Sequence, residues 1–221
     1  MGAFEHISKM YRYGIRNKAG ELGYSDANLC VLDGNVDALK NSYRNVFENI
    51  LSCSHNKDCR SIIEYAKDLV ASWIFEDTMV QVLNLSGIET VLSGTDRNRE
   101  ILGHANVSSC SDCLISFCGK CRHLEIVSDY TGWWELTGHM ELRDSKFENL
   151  KRERSLLLGV CTDSLKYVLL DFSKPVSANY IVSHKPCGGK SAWSIEIKKE
   201  ELKKFSIPHL VEHLKSDFSD F

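Results

Sequence analysis

Proline is scarce, with three in 221 residues, which excludes a proline-rich linker or a low-complexity scaffold. Long apolar runs are missing as well. No stretch nears the roughly 18 residues that a membrane-crossing helix requires. The opening "MGAFEHISKMYRYG" has no apolar core of the kind a secretory leader carries. Gly2 stands where a myristoylation motif would place it, but no polybasic anchor follows. A cytoplasmic protein with no membrane partner is expected. Excess positive charge is lacking too: 27 Lys and Arg face 30 Asp and Glu, for a net charge of −3. That removes a protein coating nucleic acid through a global basic field. It leaves room for an enzyme that gathers acidic groups at a metal site and basic groups elsewhere.

What is present is an ordinary globular composition, 43% hydrophobic and 26% charged, and a chain long enough to bury one sizeable core. Basic residues cluster locally, in "RDSKFENLKRER" and "KKEELKK". The nine cysteines are an odd number, and in a reducing compartment most are expected to be thiols or metal ligands.

Periodicity divides the chain. Val36, Leu39, Tyr43, Val46, Phe47 and Ile50 recur at helical spacing, so residues 1–57 are expected to form a helical segment. "CRSIIEYAKDLVASWIFEDTMVQVLNLSG" reads as a long helix with Ile62, Ala66, Val70, Trp73, Met79 and Leu83 broadly on one side, stopped at Gly87. "IETVLSG" reads as a strand and "TDRNRE" as a polar turn. "DCLISF" and "HLEIVS" are two strands joined by "CGKC", whose Gly119-Lys120 centre suits a tight turn. "TGWWELTG" reads as a loop and "LRDSKFENLKRE" as an amphipathic helix. "SLLLGVC" and "KYVLLDF" are apolar enough for central strands. "NYIVSHK" and "AWSIEI" form a strand pair around a Gly-Gly turn, and "KKEELKKF" with "PHLVEHLKSDF" close the chain as helix. The expected class is mixed α/β: residues 58–221 form a central mixed sheet flanked by helices.

Two kinds of chemistry compete in the hairpin. If "CGKC" turns the chain, Asp112 and Glu125 converge near its open end. Two adjacent carboxylates repel each other unless a divalent cation lies between them. Oxygen ligands of this kind select Mg²⁺, with Mn²⁺ as a substitute. Glu76, close to Phe75 and Trp73 on the long helix, is a candidate to face the same place. Lys146, in "LRDSKF", is a candidate to orient an attacking water or to stabilise charge developing on a phosphate. Against this stands zinc: Cys110, Cys113, Cys118 and Cys121 make two C-x2-C pairs. Their separation of four residues is short for a two-knuckle site, and closing one would bend the strand that follows Asp112. "CSHNKDC", with Cys53, His55 and Cys59, is a further ligand cluster or simply a loop.

In order, the helix glutamate, "GTDRNRE", "SD", "LEIV", "LRDSKF", "LLLGV" and "YVLLDF" resemble the PD-(D/E)xK nuclease superfamily, specifically its type II restriction endonucleases, over roughly residues 60 to 200. The resemblance implies a restriction-endonuclease-like core and Mg²⁺-dependent, sequence-specific cleavage of double-stranded DNA by a homodimer. It implies Asp112 and Glu125 as metal ligands, the Ile126 backbone carbonyl as a third, and Glu76 as the helix glutamate. One departure matters. The family's lysine belongs two residues after Glu125, where this chain has Val127. Lys146, on the following helix, is the candidate for its replacement. "DSK" at 144–146 also spells the motif, but Asp144 reads as helix and has no strand pairing to aim it at Asp112. Arg97 and Arg99 of "TDRNRE", and Lys185 and Lys190 beside the Gly-Gly turn, are candidate DNA contacts, or solvated turn residues. A structure-selective junction or repair nuclease, and a non-catalytic zinc-stabilised binding protein, remain as alternatives.

Overall fold

The computed structural model describes residues 62–94, 97, 110–129, 131–162, 164–185 and 189–220. The helix expected across residues 35–54, Arg99, and the cluster of Cys53, His55 and Cys59 lie outside the described residues.

Helix α1 (Ile62–Leu85) buries Trp73, Phe75, Met79, Val82 and Leu83. Gly87 ends it in the left-handed region at φ 81°. The Ile88 amide donates to the Leu83 carbonyl and the Gly87 amide to the Asn84 carbonyl, each over 3.0 Å. This paired closure satisfies carbonyls that a helix end leaves open, and it favours glycine because no Cβ opposes that φ. The Asn84 side chain then staples the exit, exchanging hydrogen bonds with the Thr90 backbone at 2.8 Å in both directions.

Strands β1 (Glu89–Leu92), β2 (Cys113–Phe117) and β3 (Lys120–Asp129) follow as antiparallel neighbours. The β2–β3 turn is one residue earlier than its composition suggests. Phe117 pairs with Lys120, and Cys118 (φ 50°) and Gly119 (φ 78°) take the two positive-φ positions of a two-residue hairpin. "TGWWELTG", expected as a loop, contains a short helix α2 (Trp133–Thr137) between two left-handed glycines. Its cause is the Asp129 carboxylate, which accepts from the amides of Thr131 and Trp134, both at 2.8 Å, and so serves the helix start. The helix expected from Leu142 onward begins later. Residues 139–143 form strand β4 (His139–Arg143), and only then does α3 (Asp144–Glu153) start. Leu142 therefore packs from a strand. Its spacing with Phe147 mimics a helical face because both feed one core.

Strands β5 (Leu156–Cys161) and β6 (Lys166–Asp171) are central, as expected, and β7 (Ala178–His184) pairs with β8 (Lys190–Glu196). "KKEELKKF" is not helix: a 3-10 turn at Lys199–Glu201 leads into β9 (Lys203–Lys204), which closes on β6. Helix α4 (Ile207–Asp220) completes the described chain.

Among the described residues there are two sheets where one was expected. The larger runs β1-β2-β3-β5-β6-β9 and is mixed, with β3 and β5 parallel and the other pairs antiparallel; the smaller runs β4-β8-β7. β5 explains the layering. All six of its residues are buried. Leu156, Leu158 and Val160 join one apolar cluster with α1 and α4, while Leu157 and Cys161 join another with Trp134, Met140, Phe147 and Ile195. The sheet is thus covered on both faces, the arrangement that a parallel crossover through α3 requires. The second layer sits so close at Gly159 that an added Cβ would lie 2.6 Å from Met140 Cε; it would also lie 2.9 Å from Val168 Cγ1 on the neighbouring strand β6.

Candidate active site

The alternation of β3 decides where its carboxylates go. Leu124 and Ile126 face the α1 side, so Glu125 and Val127 face the side on which α3 packs. Cys113 pairs with Leu124, and one further step along the same antiparallel register sets Asp112 opposite Glu125. The Ile126 amide donates to Asp112 Oδ2 over 2.8 Å, which ties the two strands together at this point. Asp112 also holds the chain before it: its carbonyl accepts from the Ser93 amide at 2.8 Å. Convergence at the open end of the hairpin is what the sequence led us to expect.

Lys146, in the first turn of α3, reaches back over the sheet. Its Nζ lies 2.7 Å from Glu125 Oε1 and 3.4 Å from the Cys110 carbonyl. Val127, where the resembled family carries lysine, packs against the apolar cluster under α2 and β4. The strand position is filled by packing, and a cation arrives from the helix. Glu76 is buried on α1, and its negative charge is among those acting on Lys146. The three acidic residues singled out from sequence therefore act on one ammonium group. Asp144 does not join them; it accepts from the Trp193 indole at 2.8 Å.

The electrostatics follow from burial. Removal from water, then the nearby Asp112 charge, push the Glu125 carboxyl up from 4.5 to about 8, although Lys146 pulls the other way. Burial disfavours the Lys146 ammonium, but Glu125, Asp112 and Glu76 together more than reverse this and hold it above its ordinary value. With its midpoint at about 8, Glu125 retains a proton near neutrality. Glu125 Oε2 is buried with no hydrogen-bond partner. A divalent cation fits that deficit: it would displace the proton and satisfy the orphaned oxygen. Among the described residues, no three His, Cys, Asp or Glu side chains gather as a metal-holding group. An ion here would thus be held by two carboxylates, backbone and water. Mg²⁺, which keeps much of its water, suits that donor set.

The other candidates are dispersed. Arg97 is exposed in the turn after β1, its amide donating to Gly94 at 3.3 Å. Lys185 and Lys190 are exposed beside the β7–β8 turn. The four cysteines of the zinc alternative do not converge. Cys113 begins β2 and is buried, whereas Cys118 and Cys121 are exposed at the hairpin tip. Five residues of extended strand separate the two ends by about 16 Å. Trp134 is buried, whereas Trp133 is 49% exposed.

Two contributors carried no readable signal. Ser111 is fully buried, with its hydroxyl 3.2 Å from that of Ser155, anchoring the residue before Asp112 to the start of β5. Trp193, read only as part of a strand, holds the start of α3. No protein-family model matches this sequence, and no curated protein matches it either.

Proposed function

We propose that this chain is a Mg²⁺-dependent endonuclease that hydrolyses phosphodiester bonds in double-stranded DNA, with a restriction-endonuclease-like core and site-specific cleavage. The observation that carries this reading is the Lys146 ammonium, supplied by α3 and 2.7 Å from Glu125 on β3. The combination of two carboxyls and one lysine at a strand end suits charge developing on a phosphate.

Asp112 and Glu125, with the Ile126 carbonyl, would hold the ion, and Glu76 would support a second ion or a water. Bound there, Mg²⁺ supplies charge neutralisation at the phosphate and a more acidic water. The remaining steps belong to the protein. Lys146 keeps its proton on Nζ, because the surrounding carboxyls stabilise the ammonium, and donates toward the attacking water or the phosphate oxygens. Glu125 must release its proton to act as a ligand. Lys185, Lys190 and Arg97 approach the DNA backbone, and two copies acting together match a palindromic site. The same reading implies a cytoplasmic enzyme; no helix among the described residues is long and apolar enough to cross a membrane.

The test is incubation of purified protein with plasmid and long phage DNA in Mg²⁺, Mn²⁺ or EDTA, beside an Asp112→Ala control. Discrete metal-dependent bands, lost in the control, are expected. Cleavage confined to junctions or flaps would point instead to a structure-selective nuclease. Intact DNA under every metal condition would refute nuclease activity altogether.

A further inference from the structure

The aim of Lys146 depends on the first turn of α3, and that turn is gripped by one side chain from the other sheet. Trp193 lies on β8, opposite Leu142 on β4 and Tyr180 on β7. Its indole N–H donates to Asp144 Oδ1 over 2.8 Å, and its ring stacks on Phe147 with centroids 4.5 Å apart at 17°. Asp144 and Phe147 bracket Lys146 in sequence. A hydrogen bond before the lysine and a stacked ring after it fix both the rotation and the height of the turn. Ser191, two residues earlier on β8, adds a longer contact to Asp144 Oδ2 at 3.5 Å. On its other side, Trp193 meets Tyr180 edge-on at 5.2 Å. β8 begins at Lys190, immediately after the turn at Gly189 (φ 76°), and Lys185 and Lys190 flank that turn exposed. Three residues of strand, about 10 Å, separate the basic tip from the indole.

We propose that Trp193 is the positioning residue for Lys146, and that through it engagement of the β7–β8 hairpin by duplex DNA is coupled to the aim of the lysine at Glu125. The second half rests on the nuclease reading above; the first does not. Strand β8 acts as a short lever. A phosphate held at Lys185 and Lys190 bears on β8, β8 carries the indole, and the indole sets the α3 turn. A small misplacement of a catalytic cation costs heavily, so a distant hold of this kind has leverage over rate.

The experiment compares Trp193→Phe, which keeps an aromatic ring against Phe147 but lacks the N–H donor, with Asp144→Asn, which keeps the Oδ1 acceptor, and Asp144→Ala, which does not. The first readout is the Glu125 carboxyl titration in full-length protein by ¹³C NMR, without metal or DNA. Asp112 and Lys146 are the charged groups that act on that carboxyl. Trp193→Phe and Asp144→Ala are expected to raise its midpoint by about one pH unit as Lys146 drifts away, and Asp144→Asn to leave it in place. The second readout is cleavage with Mg²⁺, where Trp193→Phe is expected to lower kcat about tenfold with KM for DNA little changed. An unchanged Glu125 midpoint in folded Trp193→Phe and Asp144→Ala overturns the positioning role. A change confined to KM overturns the coupling. Intact DNA with the wild-type protein overturns the nuclease reading and the DNA half together, while the titration still decides whether Trp193 aims Lys146.

Discussion

Lys146→Met removes the ammonium from the Glu125 site while keeping a flexible apolar stem. At 2.7 Å and an effective dielectric of about 20, the attraction between the two charges is about 6 kcal/mol. The net loss is smaller and depends on pH, because Glu125 escapes an unpaired buried charge by taking up a proton. In the wild-type protein its carboxyl is raised from 4.5 to about 8. Its contribution to stability is therefore fully present below 4.5 and lost as pH rises through about 8. Lys146 is one of the groups holding that value down, so in the variant the carboxyl titrates higher still. At pH 6 Glu125 is protonated in both proteins, and the substitution costs about 1 kcal/mol, the worth of one hydrogen bond. At pH 9 the wild-type carboxyl ionises and is paired, whereas the variant must keep its proton. The gap then widens by about 1.4 kcal/mol, the worth of the one pH unit above the wild-type midpoint over which only the wild-type carboxyl ionises. The ammonium itself contributes stability that is lost only as pH rises through a value above 10.5, outside this window. Urea denaturation of both proteins at pH 6, 7.5 and 9, with Mg²⁺ absent, measures the difference. A gap that stays constant from pH 6 to pH 9 refutes the coupling between Lys146 and Glu125.

Gly159→Ala is expected to destabilise by about 1–3 kcal/mol in urea melts, because its Cβ would meet Met140, Val168 and Trp134; a neutral result would mean the two sheets separate easily. Asp171→Ala leaves the buried Arg122 guanidinium without the carboxylate it pairs with and is expected to cost about 3–5 kcal/mol. Burial opposes ionisation of Asp171, but donation from Arg122 and Ser173 outweighs it and brings the carboxyl to about 2. The stability this pair confers is therefore present above 3.8 and lost as pH falls through about 2, and Asp171→Ala should flatten the acid limb of a denaturation curve. Replacing Cys110, Cys118 and Cys121 together by serine is expected to change stability by less than about 0.5 kcal/mol. Elemental analysis of the wild-type protein should find no stoichiometric zinc, and zinc that disappears with the triple substitution would make these cysteines metal ligands after all.

The strands of the site were legible because their signals are local. "DCLISF" and "HLEIVS" flank a short turn, which brings Asp112 and Glu125 to the same end of the hairpin, although the turn's actual place at Cys118-Gly119 sets the register that puts one across from the other; period-two alternation puts Glu125 and Val127 on one face. The apolar runs at β5 and β6 were readable for the same reason. The departures fall where a distant partner overrides the local pattern. "TGWWELTG" becomes helical because Asp129, outside the stretch, caps it. "HMELR" becomes a strand because β8 pairs with it, residue by residue from His139 to Arg143. "KKEELKKF" has the composition of a helix but yields a strand because β6 offers an edge.

By itself, then, the sequence determined the helix stop at Gly87, the hairpin, and the alternation that puts Glu125 and Val127 on one face, since each is written in residues that are neighbours along the chain. The tertiary structure decided that Lys146 lies against Glu125. Lys146 is 21 residues from Glu125, and nothing between them specifies an angle. That angle comes from the parallel crossover that lays α3 on the sheet and from a tryptophan 47 residues further on that holds its first turn. A charge finds its partner across such a distance only when packing has already fixed both backbones.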